Sequence, residues 1–250
     1  NENLAKEAAT FTETTFIEDL ETIVKISDTL FLTVPDDLIT TVWNQMKDMS
    51  LEGKFICHCS GALSAGDAFP GIDKCGAFGY SVHPLFAVSD KYNSYKELSH
   101  AYFVIEGDEK HREEIAGIFN NLGNEVRYIA AKDKVKYHCA AAVCSNHVVA
   151  LIQESLDLMQ ECGFDEESAL KALAPIMLGN MQHIAERGTV NSLTGPVERA
   201  DVKTVEKHLN CLDEKQQMIY RLLSEVLISI GEKKNPGRDY GRLKHILGNE

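Results

Sequence analysis

The residues most suited to chemistry are a histidine and an asparagine on one face of a predicted helix. His138 and Asn146 lie on either side of Ala142. At about 100° per residue, the three fall within roughly 80° of one another and span about 12 Å of helix rise. An imidazole can exchange protons near neutral pH and a carboxamide can orient a bound group, so a flat ligand could lie along this stripe. The alternative is a hydrogen-bonded pair within a tightly packed, alanine-rich helix contact.

Further candidates follow predicted strands, at the edge where parallel sheets bind ligands. His83 comes after the predicted strand 79–82 and could be a general acid, a substrate ligand or a turn residue bonded to the backbone. Two other strand ends offer residues for a cofactor: Val34, Pro35 and Asp36 after the first strand, and Ser60 and Gly61 after the second. A strand followed by Pro-Asp-Asp is equally well an ordinary helix cap.

A turn at residues 193–201 carries polar groups between two predicted helices. Asp201 can cap the helix that follows, and Arg199 is available for an anionic group of a substrate. The pair Gly195 and Pro196 is also common in a plain helix–helix connection, so both interpretations stay open.

Composition argues against several classes of function. The 250-residue chain is 44% apolar, enough for one large or two modest cores, and its net charge is −13. This charge argues against nucleic acid and against an anionic membrane surface as partners. We find no apolar stretch of the roughly 18 to 20 residues that cross a bilayer, and residues 1–9 lack signal-peptide character. We therefore expect a cytoplasmic protein.

The seven cysteines are expected to be reduced, since their number is odd and the chain is too large to need disulfide staples. Cys57, His58 and Cys59 resemble part of a metal site. In a strand, however, the two cysteines share one face while His58 points away, and no second ligand pair follows. We therefore predict no metal.

The elements that must position these residues fall into two halves. Short apolar strands alternate with helices up to residue 131, which predicts an α/β domain at 1–131 with a mostly parallel sheet and helices on both faces. From residue 132 long helical patterns take over, which predicts an all-helical domain at 132–250. The short junction predicts close packing and a ligand cleft. The predicted strands are 28–34, 55–59, 79–82, 102–106 and 125–129, and the long helices are 133–161, 165–187 and 201–230, the last interrupted near 212–214.

The glycine-rich fingerprint of dinucleotide binding, Gly-x-Gly-x-x-Gly, does not occur in the sequence. Its place in such a fold is the turn after the first strand. We expect that first strand–helix unit to lie just before Asn1. The missing fingerprint also leaves open that no dinucleotide binds.

Taken in order, five short motifs resemble a known family. They are Val-Pro-Asp-Asp, Ser-Gly-Ala, Ser-Val-His-Pro-Leu, Tyr-His-x-Ala-Ala-x-x-x-Ser-Asn and Leu-Thr-Gly-Pro-x-x-Arg-x-Asp. The combination resembles Rossmann-like proteins that carry a C-terminal helical domain of unknown function and are described as NADP-dependent oxidoreductases. Their plan is similar to that of 6-phosphogluconate dehydrogenase, β-hydroxyacid dehydrogenases, ketopantoate reductase and pyrroline-5-carboxylate reductase.

This resemblance implies a Rossmann-like domain that binds NADP, or NAD, and a helical domain that lines the substrate cleft and forms a homodimer. The implied reaction is hydride transfer to or from a small, anionic carbonyl, imine or hydroxy-acid substrate. The implied cofactor-binding residues are Val34, Pro35, Asp36, Ser60 and Gly61. The implied substrate-binding residues are Ser145, Thr194, Gly195, Pro196 and Arg199, and the implied catalytic residues are His138, Asn146 and His83.

The chain departs from the family pattern at the proton donor. β-Hydroxyacid dehydrogenases place a catalytic lysine four residues before the asparagine, and that position is Ala142 here. His138 or His83 could take over the proton transfer. The lysines near the helix start do not fit the motif and are interpreted as solvated: Lys132, Lys134 and Lys136. The alternative function is a non-catalytic nucleotide-binding sensor or assembly module on the same fold.

Overall fold

The structure is a computed structural model that describes residues 2–248. It divides into two compact units, Asn1–Val148 and Val149–Glu250. The described strands all lie in the first unit, and the second is built from helices. The predicted fold class, an α/β sheet followed by helices alone, is confirmed.

The strands of the first unit form one five-stranded sheet in chain order. They are β1 (Thr29–Leu32), β2 (Phe55–His58), β3 (Phe78–Leu85), β4 (Tyr102–Gly107) and β5 (Glu125–Tyr128). The first three run parallel, β4 is antiparallel to β3, and β5 is parallel to β4. The sheet is thus mostly parallel, as predicted, and the carboxyl ends of β1 and β2 meet at one edge.

Helices cover both faces of this sheet. The α-helices of this unit are α1 (Glu2–Phe11), α2 (Leu20–Ile26), α3 (Asp36–Met46), α4 (Ala65–Ala68), α5 (Arg112–Asn120) and α6 (Lys134–Cys144), of which α2 to α5 pack on the sheet. Ile56 belongs to one core cluster and its neighbour Cys57 to another, because successive strand residues point to opposite faces. One cluster packs the sheet against α2, α3 and α4, and the other packs it against α5.

Strand β3 is longer than the sequence predicts and includes His83. The prediction ended the strand at residue 82, whereas its second half continues to Leu85 because it pairs with β4. The pairing of β3 with β2 stops at Ser81. Pro84 has no backbone N–H to donate. It lies beyond the part of β3 that pairs with β2, so it interrupts no hydrogen bond between these two strands. The interpretation of His83 as a turn residue is wrong.

The second unit is held together by a smaller core. Its helices are α7 (Asn146–Glu161), which begins within the first unit, α8 (Glu166–Ser192), α9 (Val202–Cys211), α10 (Glu214–Lys234) and α11 (Gly241–Leu247). Asp201 accepts a hydrogen bond from the Thr204 N–H at 3.1 Å and caps α9 as predicted. Val205, Leu209 and Leu243 are among the side chains buried at the centre of this unit. The break between α9 and α10 lies where the sequence predicts it.

The boundary between the compact units lies after the predicted domain boundary at residues 131 and 132. Helix α6 belongs to the first unit, where its first residue, Lys134, donates hydrogen bonds to Ser60 and Ser81. The assignment of residues 132–148 to a functional helical domain stays a prediction.

One helical stretch has the length and composition of a membrane span. Ala131–Glu161, which comprises α6, α7 and the turn before them, meets this test, although the sequence analysis found no such stretch. Helices that pack against other protein pass the same test. This stretch is not one continuous apolar helix, because a turn at Ser145 divides it and it contains the buried Lys134.

Replacing Trp43 by alanine is expected to destabilise the first unit. The indole is fully buried, its ring centroid lies 5.5 Å from that of Phe69, and Nε1 donates to the Pro70 carbonyl at 3.1 Å. Loss of the ring should lower the free energy of unfolding by about 3–5 kcal/mol because a cavity remains. Urea unfolding followed by circular dichroism measures this. The control Trp43→Phe keeps most of the packing and should lose about 1–2 kcal/mol; equal losses would contradict the packing argument.

Candidate functional site

A cavity of about 420 Å³ lies within the first unit, between the end of β3 and the α6–α7 turn. It brings together the three predicted catalytic residues, His83, His138 and Asn146, and the predicted substrate residue Ser145. The complete lining is His83, Leu85, Phe86, Ala87, Tyr137, His138, Ala140, Ala141, Ala142, Cys144, Ser145 and Asn146. The side chains of His138 and Asn146 are exposed, so the alternative of a hydrogen-bonded pair in a packed helix contact does not describe them.

Two imidazole nitrogens converge on one point above Gly61, just beyond the carboxyl end of β2. A Cβ atom built on Gly61 would lie 2.5 Å from His138 Nδ1 and 2.9 Å from His83 Nε2. A side chain at this position would force the imidazoles to move, so glycine is the residue that lets both rings approach the backbone this closely. The ring centroids of the two histidines are 6.0 Å apart and their planes are nearly perpendicular, at 86°.

His83 is held in place by Tyr137 and is neutral at pH 7. Its Nδ1 lies 2.8 Å from the Tyr137 hydroxyl, and a tyrosine O–H that donates to Nδ1 leaves the imidazole proton on Nε2. Burial lowers the pKa of His83 to about 4, and the nearby Lys134 and His138 act in the same direction. Burial also raises the pKa of Tyr137 to about 12, which keeps its hydroxyl protonated.

Beneath the histidines lies Lys134, which is only 1% exposed. Its ammonium donates to the Ser60 carbonyl at 2.8 Å and to the Ser81 hydroxyl. Burial lowers its pKa to about 8, against the opposing attraction of Glu106, Asp36 and Cys59. The interpretation of Lys134 as solvated is therefore wrong. A signal was present, because Lys134 precedes His138 by one helical turn and so shares its face.

The predicted cofactor edge is partly occupied by its own hydrogen bonds. The Ser60 hydroxyl donates to Asp36 Oδ2 at 2.5 Å and accepts from the Leu63 N–H at 3.0 Å. Pro35 stands at the N-cap position of α3 without a capping side chain, and Val34 packs against the core cluster next to β1. The structure thus brings Asp36 and Ser60 together, but directs their polar atoms toward each other.

Sequence reasoning missed two polar residues of this network, Ser81 and Glu106. The Ser81 hydroxyl donates to the Ser60 carbonyl at 3.0 Å. Glu106 on β4 is buried and accepts a hydrogen bond from the Ala65 N–H at 2.7 Å. Burial raises the pKa of Glu106, while that N–H and Lys134 oppose the rise. No spacing in the sequence marks these residues, since they meet only through strand pairing.

The remaining predicted substrate residues lie in the second unit. Thr194 lines a separate cavity of about 320 Å³ there. The Arg199 N–H donates to the Gly195 carbonyl at 3.1 Å, which closes the turn that contains Pro196, and the Arg199 side chain is exposed. Contact of these four residues with a substrate stays a prediction.

The structure also bears on the cysteines and on metal binding. All seven cysteines are free thiols. Within residues 2–248, no group of three or more His, Cys, Asp or Glu is arranged to hold a metal ion. His58, between two of the cysteines, is buried and accepts a hydrogen bond from the Ser60 N–H through Nδ1 at 3.1 Å.

Comparisons with solved structures place the fold among known proteins. Protein TM1727 from Thermotoga maritima is 26% identical, with a TM-score of 0.76 over 94% of this chain and 89% of that one. BF3122 from Bacteroides fragilis, described provisionally as an NADP oxidoreductase, is 17% identical, with a TM-score of 0.68 over 92% and 86%. A Plasmodium falciparum pyrroline carboxylate reductase with NADP bound is 14% identical, with a TM-score of 0.56 over 89% and 82%. No curated protein sequence matches the chain.

These similarities confirm the predicted Rossmann-like fold with a helical C-terminal part, the fold of many NAD(P)-dependent oxidoreductases. The predicted resemblance to proteins with a C-terminal domain of unknown function is confirmed by sequence as well, because the model of the domain of unknown function DUF2520 matches residues 101–227. Since that match covers half of this chain, the chain belongs to the DUF2520 family.

Proposed function

We propose that this chain acts as an oxidoreductase that transfers a hydride between NADP, or NAD, and a small anionic carbonyl, imine or hydroxy-acid substrate. The observation that carries the proposal is the convergence of His83 Nε2 and His138 Nδ1 above Gly61. This point lies beside a cavity at the sheet edge where Rossmann-like folds bind their ligands. The two imidazoles, both in the lining of this cavity, could hold and protonate the oxygen or nitrogen of a substrate bound there.

The nicotinamide half of the cofactor would lie along the carboxyl ends of β1 and β2. Pro35 is exposed at this edge, whereas Ser60 and Gly61 are buried and form its backbone floor, with both imidazoles already close to Gly61. The N-terminus of α3 does not fit the pyrophosphate, because Asp36 and Asp37 put two carboxylates in its first turn. When bound, the nicotinamide supplies or accepts the hydride.

The two histidines would have different tasks. His138, which is exposed to the cavity, would exchange the proton with the substrate. His83 is neutral and would donate a hydrogen bond from Nε2, as a neutral imidazole can do for a developing negative charge. Asn146 on the same wall would orient the substrate. The proposal retains Thr194 for orientation and Arg199 for the anionic group.

The second candidate function is a non-catalytic nucleotide-binding sensor or assembly module. The observation that favours it is Ala142, which occupies the position of the family's catalytic lysine. For either function the proposed location is the cytoplasm, where seven free thiols would remain reduced.

Titration with NADPH and NADH separates a nucleotide-binding protein from one that binds no dinucleotide. The full-length gene product is used, so that any glycine-rich turn preceding Asn1 is present. We expect saturable enhancement of nicotinamide fluorescence, with a dissociation constant in the micromolar range. ADP-ribose should compete with the cofactor, because it shares the pyrophosphate but has no nicotinamide. If neither dinucleotide binds, the oxidoreductase proposal is wrong.

Exchange of His138 for glutamine is expected to abolish turnover without abolishing cofactor binding. Glutamine keeps a hydrogen-bonding group but cannot exchange a proton near neutral pH, so kcat should fall by about 10²–10⁴-fold. The measurement is NAD(P)H oxidation with a substrate found by screening 2-oxo acids and cyclic imines, next to a cofactor titration. His147→Gln is the matched control, since His147 is exposed and outside the cavity. Equal turnover by wild type and His138→Gln would remove His138 as proton donor.

We further propose that the helical unit forms a homodimer through α8. Residues 172–185 of this helix include no Asp, Glu, Lys or Arg, and Ala169 is its one buried residue. Leu178 is 71% exposed, and the position of Gly179 is open, with no atom within 4 Å of a Cβ built there. An exposed apolar helix surface of this length is typical of an interaction site. In a twofold-symmetric dimer, the same surface of a second copy would bury it.

Placing a charge on this face should separate the dimer. Leu178→Glu is expected to shift the protein from dimer to monomer in sedimentation at micromolar concentration, because an interface would have to bury the carboxylate. Asn210→Glu, an exposed position on α9, is the matched control and should stay dimeric. A wild-type monomer, or binding of the wild type to phosphatidylcholine vesicles that Leu178→Glu loses, would contradict the dimer.

A further inference from the structure

We propose that Lys134 is a positioning residue whose buried ammonium fixes the segment after β2 and holds the His83 imidazole in its neutral form. Lys134 does not line the cavity, so it acts through the groups that do. The ionic part of this proposal is independent of the reaction. Its catalytic consequence, a neutral His83 that donates a hydrogen bond, rests on the proposed function.

The geometry gives the ammonium a clamping position. Its two hydrogen bonds reach the Ser60 carbonyl, just beyond the end of β2, and the Ser81 hydroxyl on β3. The Ser81 hydroxyl in turn donates to the same Ser60 carbonyl at 3.0 Å. The residue after this carbonyl is Gly61, above which the two imidazoles meet. Lys134 thus fixes the backbone that forms the floor of the histidine pair.

The charges around His83 support the second half of the proposal. Burial is the largest influence that disfavours a proton on His83; Lys134 and His138, both on α6, act in the same direction, while Asp36 on α3 favours a proton. Tyr137, the hydrogen-bond partner of His83, is uncharged below its raised pKa of about 12. Asp36 is exposed, whereas Lys134 is shielded from water. A shielded charge acts more strongly at a given distance than one in contact with solvent, so the lysine should outweigh the aspartate.

A neutral substitution at position 134 should be compatible with folding. In Lys134→Met the Ser60 carbonyl still accepts from the Ser81 hydroxyl, while the Ser81 oxygen loses the hydrogen bond that it accepted from the ammonium. The variant removes the need to keep an ammonium out of water, but it also removes the attraction of that ammonium for the buried Glu106, whose burial favours the neutral acid. Lys134→Gln is a second neutral variant that keeps a donor for the Ser60 carbonyl. Fluorescence of Trp43, the single tryptophan, monitors the fold of this unit.

The test is an NMR titration of protein labelled with [13C]histidine, with His83 assigned from the missing signal in His83→Gln. In the wild type the His83 Cε1–H shift should change little above pH 5.5, since burial and nearby charge lower the pKa of His83 to about 4. In Lys134→Met and Lys134→Gln the titration midpoint should rise by about one pH unit or more. Lys134→Arg keeps the positive charge, so its midpoint should remain low.

The outcomes distinguish charge from packing. A His83 midpoint in both neutral variants within about 0.3 units of the wild type would overturn the proposal, because such a shift is well below the effect of a nearby charge. A rise in Lys134→Arg as large as in Lys134→Met would also overturn it, since packing and not charge would then be responsible. If neither neutral variant folds, Lys134 is a structural residue and the proposal is wrong. None of these readouts needs cofactor, so failure of the proposed function would show separately in the dinucleotide titration.

Discussion

The site depends on a buried positive charge that must be hydrogen-bonded. An ammonium removed from water is strongly unfavourable unless acceptors replace the lost solvent, and Lys134 finds them in the Ser60 carbonyl and the Ser81 hydroxyl. Because one acceptor directly follows β2 and the other lies on its parallel neighbour β3, satisfying both anchors the first turn of α6 at the carboxyl edge of the sheet. The helix period then places His138 one turn later on the same side, where its Nδ1 lies above Gly61. The position of the His138 imidazole thus follows from the hydrogen bonds that the buried Lys134 ammonium requires.

Close packing above Gly61 also fixes the two imidazoles. Above Gly61 there is no room for a Cβ between His138 Nδ1 and His83 Nε2, so both rings approach the backbone closely. His83 cannot move freely, because it belongs to the part of β3 that pairs with β4 and its Nδ1 contacts the Tyr137 hydroxyl. Fixed nitrogens need little reorganisation when charge develops nearby, and this preorganisation is the property that stabilises transition states.

The sequence predicts the parts of this arrangement that arise from local patterns. The five strands and the aspartate cap of α9 follow from apolar runs and capping residues. His138 and Asn146 line one cavity, as the predicted stripe suggests, although the predicted helix 133–161 is divided at Ser145 into α6 and α7. The length of β3 does not, because its second half exists only through pairing with a strand that follows some twenty residues later. The burial of Lys134 was missed for a related reason: the helix period places it on the same face as His138, but only the fold shows that this face meets the sheet.

The described cavity offers no cation to the anionic substrate that we propose. Its lining contains two histidines, a tyrosine, an asparagine and small or apolar side chains, but none of the described lining residues is Asp, Glu, Lys or Arg. Lys134 lies behind this wall, and its charge is directed to Ser60 and Ser81. A carboxylate placed in the cavity would therefore lose water without gaining a cation. The cavity would suit the reacting end of the proposed substrate, where charge is small before reaction, and an anionic group elsewhere on that substrate would need a cation that the described lining does not supply.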